Sequence, residues 1–483
     1  MKIAMISDFF APRLGGVENH ILNLSKELHK LGHTIIIITN STSDVCGIHY
    51  VSGFKTYYLN LFSLFSGSIF PTIICSAGPI VSILLEEKVD IVHGHQCSTL
   101  PIEGILHSKI LGIPTCFTNH SLVKVQSLGG IVTETMFQLG VRTADRIICV
   151  SEASKENTAE RLDISRNRIT VIPNAVTEEF KPNEIQEDAD TYRRSNHKKC
   201  MEKKECTEEE IAQENNVNVQ CPMKDAISSQ YDLDKFHRII QIRKECGWVS
   251  GEIVIAVVSR LTRRKGADLL ASLLPSICKI DDRVRVLIAG DGDKKELLEH
   301  TVEKHKLKEK VKFLGGVHPS IVNSVLNQSD LFLNTSLTDA FCISIIEAAA
   351  CGLYVVSTDV DGISEVLPKD MVTLVPPVFH GILRGIESAL PRIRTYDKVV
   401  SHRRVHSMYK WSLVASKTDQ VYRSIFRRKE TAALQRVWDS LQEMYSRQCA
   451  RVSIIFSGLL LVNYVIIFTL VFFYESRKRH TKV

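Results

Sequence analysis

Residues 34 to 39 read Thr-Ile-Ile-Ile-Ile-Thr, a strand with no polar alternation. A half-exposed strand alternates apolar and polar side chains. An unbroken aliphatic run needs cover on both faces, as in a parallel sheet flanked by helices. The residues before it agree. Ile3 to Ser7 is a short apolar strand, and a loop from Asp8 to Leu14 leads to Gly15-Gly16. Val17, Ile21, Leu24 and Leu28 then recur at helical spacing as far as Gly32. Strand, glycine loop, helix and strand make a βαβ unit. The loop is not G-x-G-x-x-G, so the dinucleotide fingerprint is absent. Paired glycines at a helix start let a phosphate or sugar approach the backbone closely; taken alone they read as a plain tight turn.

The same pattern continues. Val89 to His93, Thr115 to Thr118, Arg146 to Val150 and Arg168 to Ile172 extend a first sheet. Ile253 to Ser259, Val284 to Ala289, Val311 to Leu314, Leu331 to Asn334 and Tyr354 to Ser357 build a second. A chain of 483 residues has room for two such domains and a remainder. The expected division is 1–182 for the first domain, 183–245 for an insert, 246–395 for the second domain and 396–451 for C-terminal helices. The insert carries charged blocks such as Glu208-Glu209-Glu210 and few large apolar residues, so it reads as disordered or loosely helical. Its Cys200, Cys206 and Cys221 lack zinc spacing. The 13 cysteines of the whole chain form no disulfide-like framework, which fits a reducing compartment. A net charge of +6 by itself argues for no nucleic-acid role.

Ligands of open α/β sheets gather at the carboxyl ends of the strands. His93, His95 and His120 all fall at such ends. The H-x-H pair of His93 and His95 could hold a metal, but no carboxylate lies beside it. After Ile253 to Ser259 come Arg260 and Lys265. One can fork onto phosphate oxygens and the other adds a point charge, together nearly matching a diphosphate; without context they are a solvated basic turn. After Leu331-Phe332-Leu333 come Asn334 to Glu347. Thr338 and Asp339 offer helix-start chemistry, and Phe341 to Ala350 reads as a helix closed by Gly352. Asp339 and Glu347 are just over two turns apart, so both can face one way along that helix. Such a pair suits a ligand with two hydroxyl-rich ends.

The stretch from Asn334 to Glu347 resembles the E-x7-E motif of retaining nucleotide-sugar glycosyltransferases with the GT-B fold. A closer resemblance is to the catalytic subunits of phosphatidylinositol N-acetylglucosaminyltransferases. It is carried by Ser7-Asp8-Phe9-Phe10, Gly15-Gly16-Val17-Glu18, Asn119-His120-Ser121, Val171-Ile172-Pro173-Asn174-Ala175-Val176, Ser259-Arg260-Leu261 and Arg264-Lys265-Gly266. The resemblance implies an α/β chain of GT-B type, two doubly wound Rossmann-like domains facing a central cleft. It implies transfer of GlcNAc from UDP-GlcNAc to phosphatidylinositol with retention, the first step of GPI-anchor synthesis. Arg260 and Lys265 would stabilise the departing UDP, Glu347 would hold the ribose and Asp339 the transferred sugar. Gly15 and Gly16 would admit the donor, and Glu18 and His120 would line the acceptor side or the sugar. Pro173 to Val176 resembles the hinge between the domains, and Tyr409 to Ala415 the start of the helix that closes the fold. No covalent nucleophile, cofactor or metal is implied. Partners are the two substrates, a membrane and further subunits, with no nucleic acid.

Two departures stand out. The first acid of the motif is usually Glu and is here Asp339, about one methylene shorter. The family's Gly-Gly-Ile-Pro-Glu is here Asp361-Gly362-Ile363-Ser364-Glu365, and an anionic Asp361 beside a pyrophosphate is unfavourable unless it points away. Another nucleotide sugar or lipid, or a non-catalytic scaffold role, are the alternative readings.

Two stretches bear on a membrane. Residues 56–85 contain no charge but are broken by Pro71, Gly78 and Pro79, so they form core helices or an apolar lip at a bilayer. Residues 452–474 are 23 uncharged residues, long enough to span, preceded by Arg451 and followed by Arg477-Lys478-Arg479. Before them, Leu434, Val437, Leu441 and Tyr445 share one face of a basic amphipathic segment. The opening residues Met1 to Ser7 are too short an apolar run for a signal peptide. The expectation is a single-pass endoplasmic reticulum protein with its bulk in the cytosol and residues 475–483 in the lumen.

Overall fold

The computed structural model describes residues 1–13, 15–61, 63–65, 68–69, 76–122, 138, 140–183, 243, 246–249, 251–426, 458 and 462–474. Nearly all of the charged insert, the amphipathic segment at 434–445 and the first part of the 452–474 run lie outside these residues. The chain divides into two compact units.

The first unit holds Met1–Ala175, Asp339–Phe341 and Tyr409–Val483. Its strands are β1 (Lys2–Ile6), β2 (Thr34–Asn40), β3 (Gly47–Val51), β4 (Phe54–Leu59), β5 (Ser63–Phe65), β6 (Ser68–Ile69), β7 (Ile91–His95), β8 (Thr115–Asn119), β9 (Arg146–Cys149) and β10 (Ile169–Val171). Eight of them form one sheet in the order β10-β9-β8-β7-β1-β2-β4-β3. Every pairing in it is parallel except β3 with β4. β5 and β6 form a separate antiparallel pair. The all-aliphatic strand behaves as expected: β2 is buried from Ile35 to Asn40, between β1 and β4. Helices α1 (Gly16–Lys30), α2 (Ala77–Glu86), α3 (Thr99–Leu111) and α4 (Glu152–Leu162) connect the strands. Asp8, directly after β1, is buried and accepts a hydrogen bond from the Leu100 amide at 2.7 Å, one of the otherwise orphaned donors at the start of α3.

The second unit holds Val176–Thr338 and Cys342–Met408. Its sheet is fully parallel, in the order β13-β12-β11-β14-β15-β16. The strands are β11 (Ile253–Val258), β12 (Val284–Ala289), β13 (Val311–Gly315), β14 (Leu331–Asn334), β15 (Tyr354–Thr358) and β16 (Val372–Val375). The helices are α5 (Ala267–Ile280), α6 (Lys295–Lys304), α7 (Pro319–Asn327), α8 (Ile343–Ala350), α9 (Phe379–Ala389) and α10 (Lys398–Met408). α10 covers the end of α8: Ser401 Oγ donates to the Ala349 carbonyl and the His402 ring to the Ala350 carbonyl, both at 2.8 Å.

Two boundaries differ from the sequence reading. The first unit ends at Ala175 and not at 182, because residues 176–183 join the second unit: the Lys181 and Asn183 amides donate to Asn323 and Asn327 of α7. Helix α11 (Trp411–Ile425) belongs to the first unit, where it lies on α1 and His33 is bonded to Asp419 at 2.9 Å.

The charge-free stretch at 56–85 is several elements. β4 and α2 bracket it, and Ala77, Ile80, Val81, Ile83 and Leu84 of α2 are core residues. Residues 462–474 form a helix, α12. Its Ile467 is buried with Val81, Ile102, Leu106 and Phe117, while Val465, Phe468, Phe472 and Phe473 are each about 60 % exposed. Among the described residues no helix is long and apolar enough to cross a membrane, and the expected span starts outside them. A buried polar chain ties α12 down. The Asn463 amide lies 3.0 Å from His107 Nδ1, His107 Nε2 lies 3.0 Å from Ser76 Oγ, and that hydroxyl is bonded to buried Glu103.

Asn463→Ala leaves the buried His107 ring without this partner. The expected cost is about 1–3 kcal/mol. Limited proteolysis of the full chain should then cut around residues 462–474 sooner than in the wild type, with α1 and α4 unaffected.

Candidate active site

In the first unit the carboxyl ends of β1, β7 and β8 carry a cluster of imidazoles. β7 extends two residues further than the sequence suggests, so His93 and His95 both lie within it, buried and on the same side of the sheet. Their ring centroids are 4.0 Å apart with the planes tilted by 35°. His93 is held between the Tyr422 hydroxyl of α11 at 2.6 Å and the Thr118 hydroxyl of β8 at 2.7 Å. His120, just past β8, is partly exposed and stacks on His95 at 5.6 Å. His95 Nδ1 and His120 Nε2 are 3.3 Å apart.

A fourth ring, His20, comes from α1. It is buried, packs edge-on to His120 at 4.5 Å, and its Nδ1–H donates to the Asn174 side-chain oxygen at 2.8 Å. Sequence reasoning misses His20 because it sits on the core face of an otherwise ordinary amphipathic helix. A polar residue beside Ile21, one turn ahead of Leu24, is the available signal. Burial drives the pKa of every ring in the cluster down: His20 to about 4, His93 to about 3, His95 and His120 well below the usual value. All four are therefore neutral at neutral pH.

At the start of α1, Gly15 is the N-cap and has extended backbone. Glu18, in the first turn, folds its carboxylate back to where a Gly15 side chain would stand. An acid there complements the helix dipole. Gly16 is the first helical residue and is exposed.

In the second unit the chemistry again lies past the strands. After β11, Arg260 is exposed and Lys265 half-buried at the end of a short 3-10 turn, Arg263–Lys265. That turn is stitched to the loop after β14. Thr335 Oγ1 donates to the Lys265 carbonyl at 3.0 Å, and the Leu337 amide donates to the Arg264 carbonyl at 2.9 Å. Gly266 lies against the Thr335 carbonyl with φ +73°, a place and a backbone shape that only glycine accepts without displacement. Asn334 anchors the loop from behind, donating to Ser357 Oγ at 2.9 Å and accepting from Ser336 Oγ at 2.8 Å. The structure thus brings Arg260 and Lys265 together with the start of the acidic motif.

The two acids of that motif are not on one helix. α8 begins at Ile343 with Cys342 in extended conformation as its N-cap, so Asp339 lies in the preceding loop, buried, within the first unit's segment Asp339–Phe341. Thr338 and Asp339 do not cap α8. The Phe341 ring packs on Tyr409 at 5.7 Å, which draws the loop off the helix axis. The helix does end where expected, with Gly352 at φ +81°. Glu347 is on α8, half-buried, and burial pushes its carboxyl pKa up to about 7. Asp361 has φ +46° in an exposed 3-10 turn. Glycine holds that shape without strain, which accounts for the family's usual residue there.

Two family profiles match the chain: the one described as Glycosyltransferase Family 4 over residues 14–180, and Glycosyl transferases group 1 over residues 238–389. Sucrose-phosphate synthase from Thermosynechococcus elongatus superposes with a TM-score of 0.64 at 18% identity, covering 89% of this chain and 100% of that one. The chain is a glycosyltransferase of GT-B fold. A phosphatidylinositol N-acetylglucosaminyltransferase subunit from Arabidopsis thaliana is 36% identical over 440 residues, 90% of this chain and 85% of the relative. The GPI3 subunit of the same enzyme from Saccharomyces cerevisiae (strain YJM789) is 35% identical over 430 residues, 88% of this chain and 83% of the relative. The chain belongs to this family of phosphatidylinositol N-acetylglucosaminyltransferase subunits.

Two substitutions probe the second unit's site. Gly266→Ala forces a methyl into the Thr335 carbonyl at a left-handed backbone angle, and should cost more than about 2 kcal/mol of stability in a chemical denaturation experiment. Glu347 holds its proton more tightly folded than unfolded. Its contribution to stability is therefore full below pH ~4.5 and is lost as pH rises through about 7. Glu347→Gln should raise Tm by a few degrees at pH 8, on the order of 1–2 kcal/mol, and change little at pH 4.5. Thermal unfolding at the two pH values measures this.

Proposed function

We propose that this chain is the catalytic subunit that transfers GlcNAc from UDP-GlcNAc to the inositol of phosphatidylinositol, with retention at the anomeric carbon, in the first step of GPI-anchor synthesis. The observation that carries the reading is similarity over nine-tenths of the chain to subunits named for this reaction. Arg260 and Lys265, a forked and a point cation past β11, stabilise the charge that develops on the UDP leaving group. Glu347 accepts from the ribose hydroxyls; those donors favour the ionised carboxylate and offset the cost of its burial. Asp339 holds the transferred sugar, Gly15 and Gly16 admit the donor, and Glu18 and His120 face the sugar or the acceptor. His120 is the most accessible ring of its cluster and is neutral, so it meets a sugar hydroxyl as a hydrogen-bonding group and not as a charge. The departing phosphate takes the proton of the incoming inositol hydroxyl in a front-side attack, and no metal or cofactor takes part in the transfer.

Residues 452–474 anchor the chain in the endoplasmic reticulum membrane, the catalytic units in the cytosol and the last residues in the lumen; to span, residues 462–474 leave the seat that Asn463 and Ile467 occupy on the first unit. The uncharged length of the run and the exposed Val465, Phe468, Phe472 and Phe473 support this. That the relatives are named as subunits supports assembly with further chains.

The test uses membranes from cells that express this chain in place of their own catalytic subunit. Radiolabelled UDP-GlcNAc should yield labelled GlcNAc-phosphatidylinositol. Arg260→Ala with Lys265→Ala should reduce the product at least ~100-fold, as expected for loss of two charges on the leaving group. No product in membranes shown to contain the other subunits overturns the reading.

A further inference from the structure

We propose that His20, His95 and His120 form a binding site for a transition-metal ion of the Zn²⁺ type. The nearest ring nitrogens of the three lie within 4.8 Å of one another. They come from three separate elements, α1, β7 and the turn after β8, so no spacing in the sequence announces them. The H-x-H pair that the sequence does offer is the wrong one. Both nitrogens of His93 are already engaged, by Tyr422 and Thr118.

The tautomers suit metal binding. His20 gives its Nδ1 proton to the Asn174 oxygen, which can only accept, so His20 Nε2 carries the lone pair. This is the arrangement in which a partner behind the ring fixes a metal-ligating imidazole. His95 Nε2 faces the Met5 thioether at 3.3 Å. A thioether has no proton to give, so a hydrogen bond at this contact places the proton on Nε2 and leaves Nδ1 its lone pair. That Nδ1 is 3.3 Å from His120 Nε2. The distance is long for a hydrogen bond. It equals the edge of a tetrahedron with metal–nitrogen bonds of ~2.0–2.1 Å, which is about 3.3 Å. One edge of the coordination polyhedron is therefore in place, and His20, whose ligand nitrogen lies within 4.8 Å of the other two, must move inward to complete a face. His120, if protonated at Nε2, moves that proton to Nδ1, so binding leaves the protein's charge unchanged.

Three neutral imidazoles with no carboxylate suit Zn²⁺, Cu²⁺ or Ni²⁺ and not Mg²⁺ or Ca²⁺, which require oxygen ligands. His20 and His95 are buried and His120 is partly exposed, so the ion enters and its fourth ligand lies on the His120 side. The ion is not a cofactor of transfer. It withdraws His120 from the sugar, a consequence that rests on the role proposed for His120 above.

The experiment takes the full chain in detergent with its partner subunits, stripped with chelator, and titrates it with Zn²⁺ against a fluorescent zinc indicator. Co²⁺ absorbance reports the geometry. One equivalent should bind at micromolar concentration or tighter, with tetrahedral Co²⁺ bands and no competition from millimolar Mg²⁺. His20→Gln and His120→Gln should each abolish that equivalent and the bands. Asn174→Ala, which leaves all three ligands in place, should weaken binding about 10-fold. His300→Gln, an exposed histidine elsewhere, should change nothing. Zinc stoichiometry and Co²⁺ spectrum unaltered in His20→Gln and His120→Gln, with both variants folded by thermal melt, overturn the site. Zinc bound as expected while GlcNAc transfer continues undiminished keeps the metal site and removes His120 from the sugar.

Discussion

A parallel sheet covered on both faces leaves one place for polar chemistry, the carboxyl ends of its strands. The interior of each unit is built from strands such as Ile35–Ile38 and Val254–Val257, where nearly every side chain is apolar and inaccessible. Polar groups displaced from such a core collect where the strands stop. In the first unit that is where Asp8, His95 and His120 stand. In the second it is where Ser259–Gly266, Asn334–Leu337 and Ser357–Thr358 meet. The same constraint acts twice, and each time it sets these polar residues at strand ends and on the loops that follow them.

Desolvation sets the character of these groups. The imidazole cluster contains the rings of His20, His93, His95 and His120, and burial is the largest influence on each. Neutral rings can pack face to face and edge to face, as charged ones could not, and they remain available as hydrogen-bonding groups or as ligands. Glu347 obeys the same rule with the opposite sign: burial pushes its carboxyl pKa up to about 7.

Local sequence carries the fold a long way. The aliphatic strand at 34–39, the glycines at 32 and 352 and the alternation of strands with helices all appear where the periodicity puts them. The differences have physical causes. Thr338 and Asp339 are good capping residues and so predict a helix start, but Phe341 finds a ring to pack on at Tyr409 and the helix does not begin until Ile343. The expected boundary at 182 lies where the charged insert begins, but Asn323 and Asn327 bond the backbone at Lys181 and Asn183 and the His406 ring bonds the Phe180 carbonyl, so residues 176–183 belong to the second unit.

Composition and periodicity by themselves determined that this chain makes two covered parallel sheets, and its motifs placed it among glycosyltransferases. Those properties depend on neighbours within a few residues. Which histidines stand together was decided only by the tertiary structure. His20 and Asn174 are 154 residues apart, and His93 and Tyr422 are 329 apart, yet each pair is one hydrogen bond. The return of α11 to the first unit and the seating of Asn463 against His107 have the same origin. A buried polar atom must find a partner, and the folded chain supplies it from whatever distance the packing brings near.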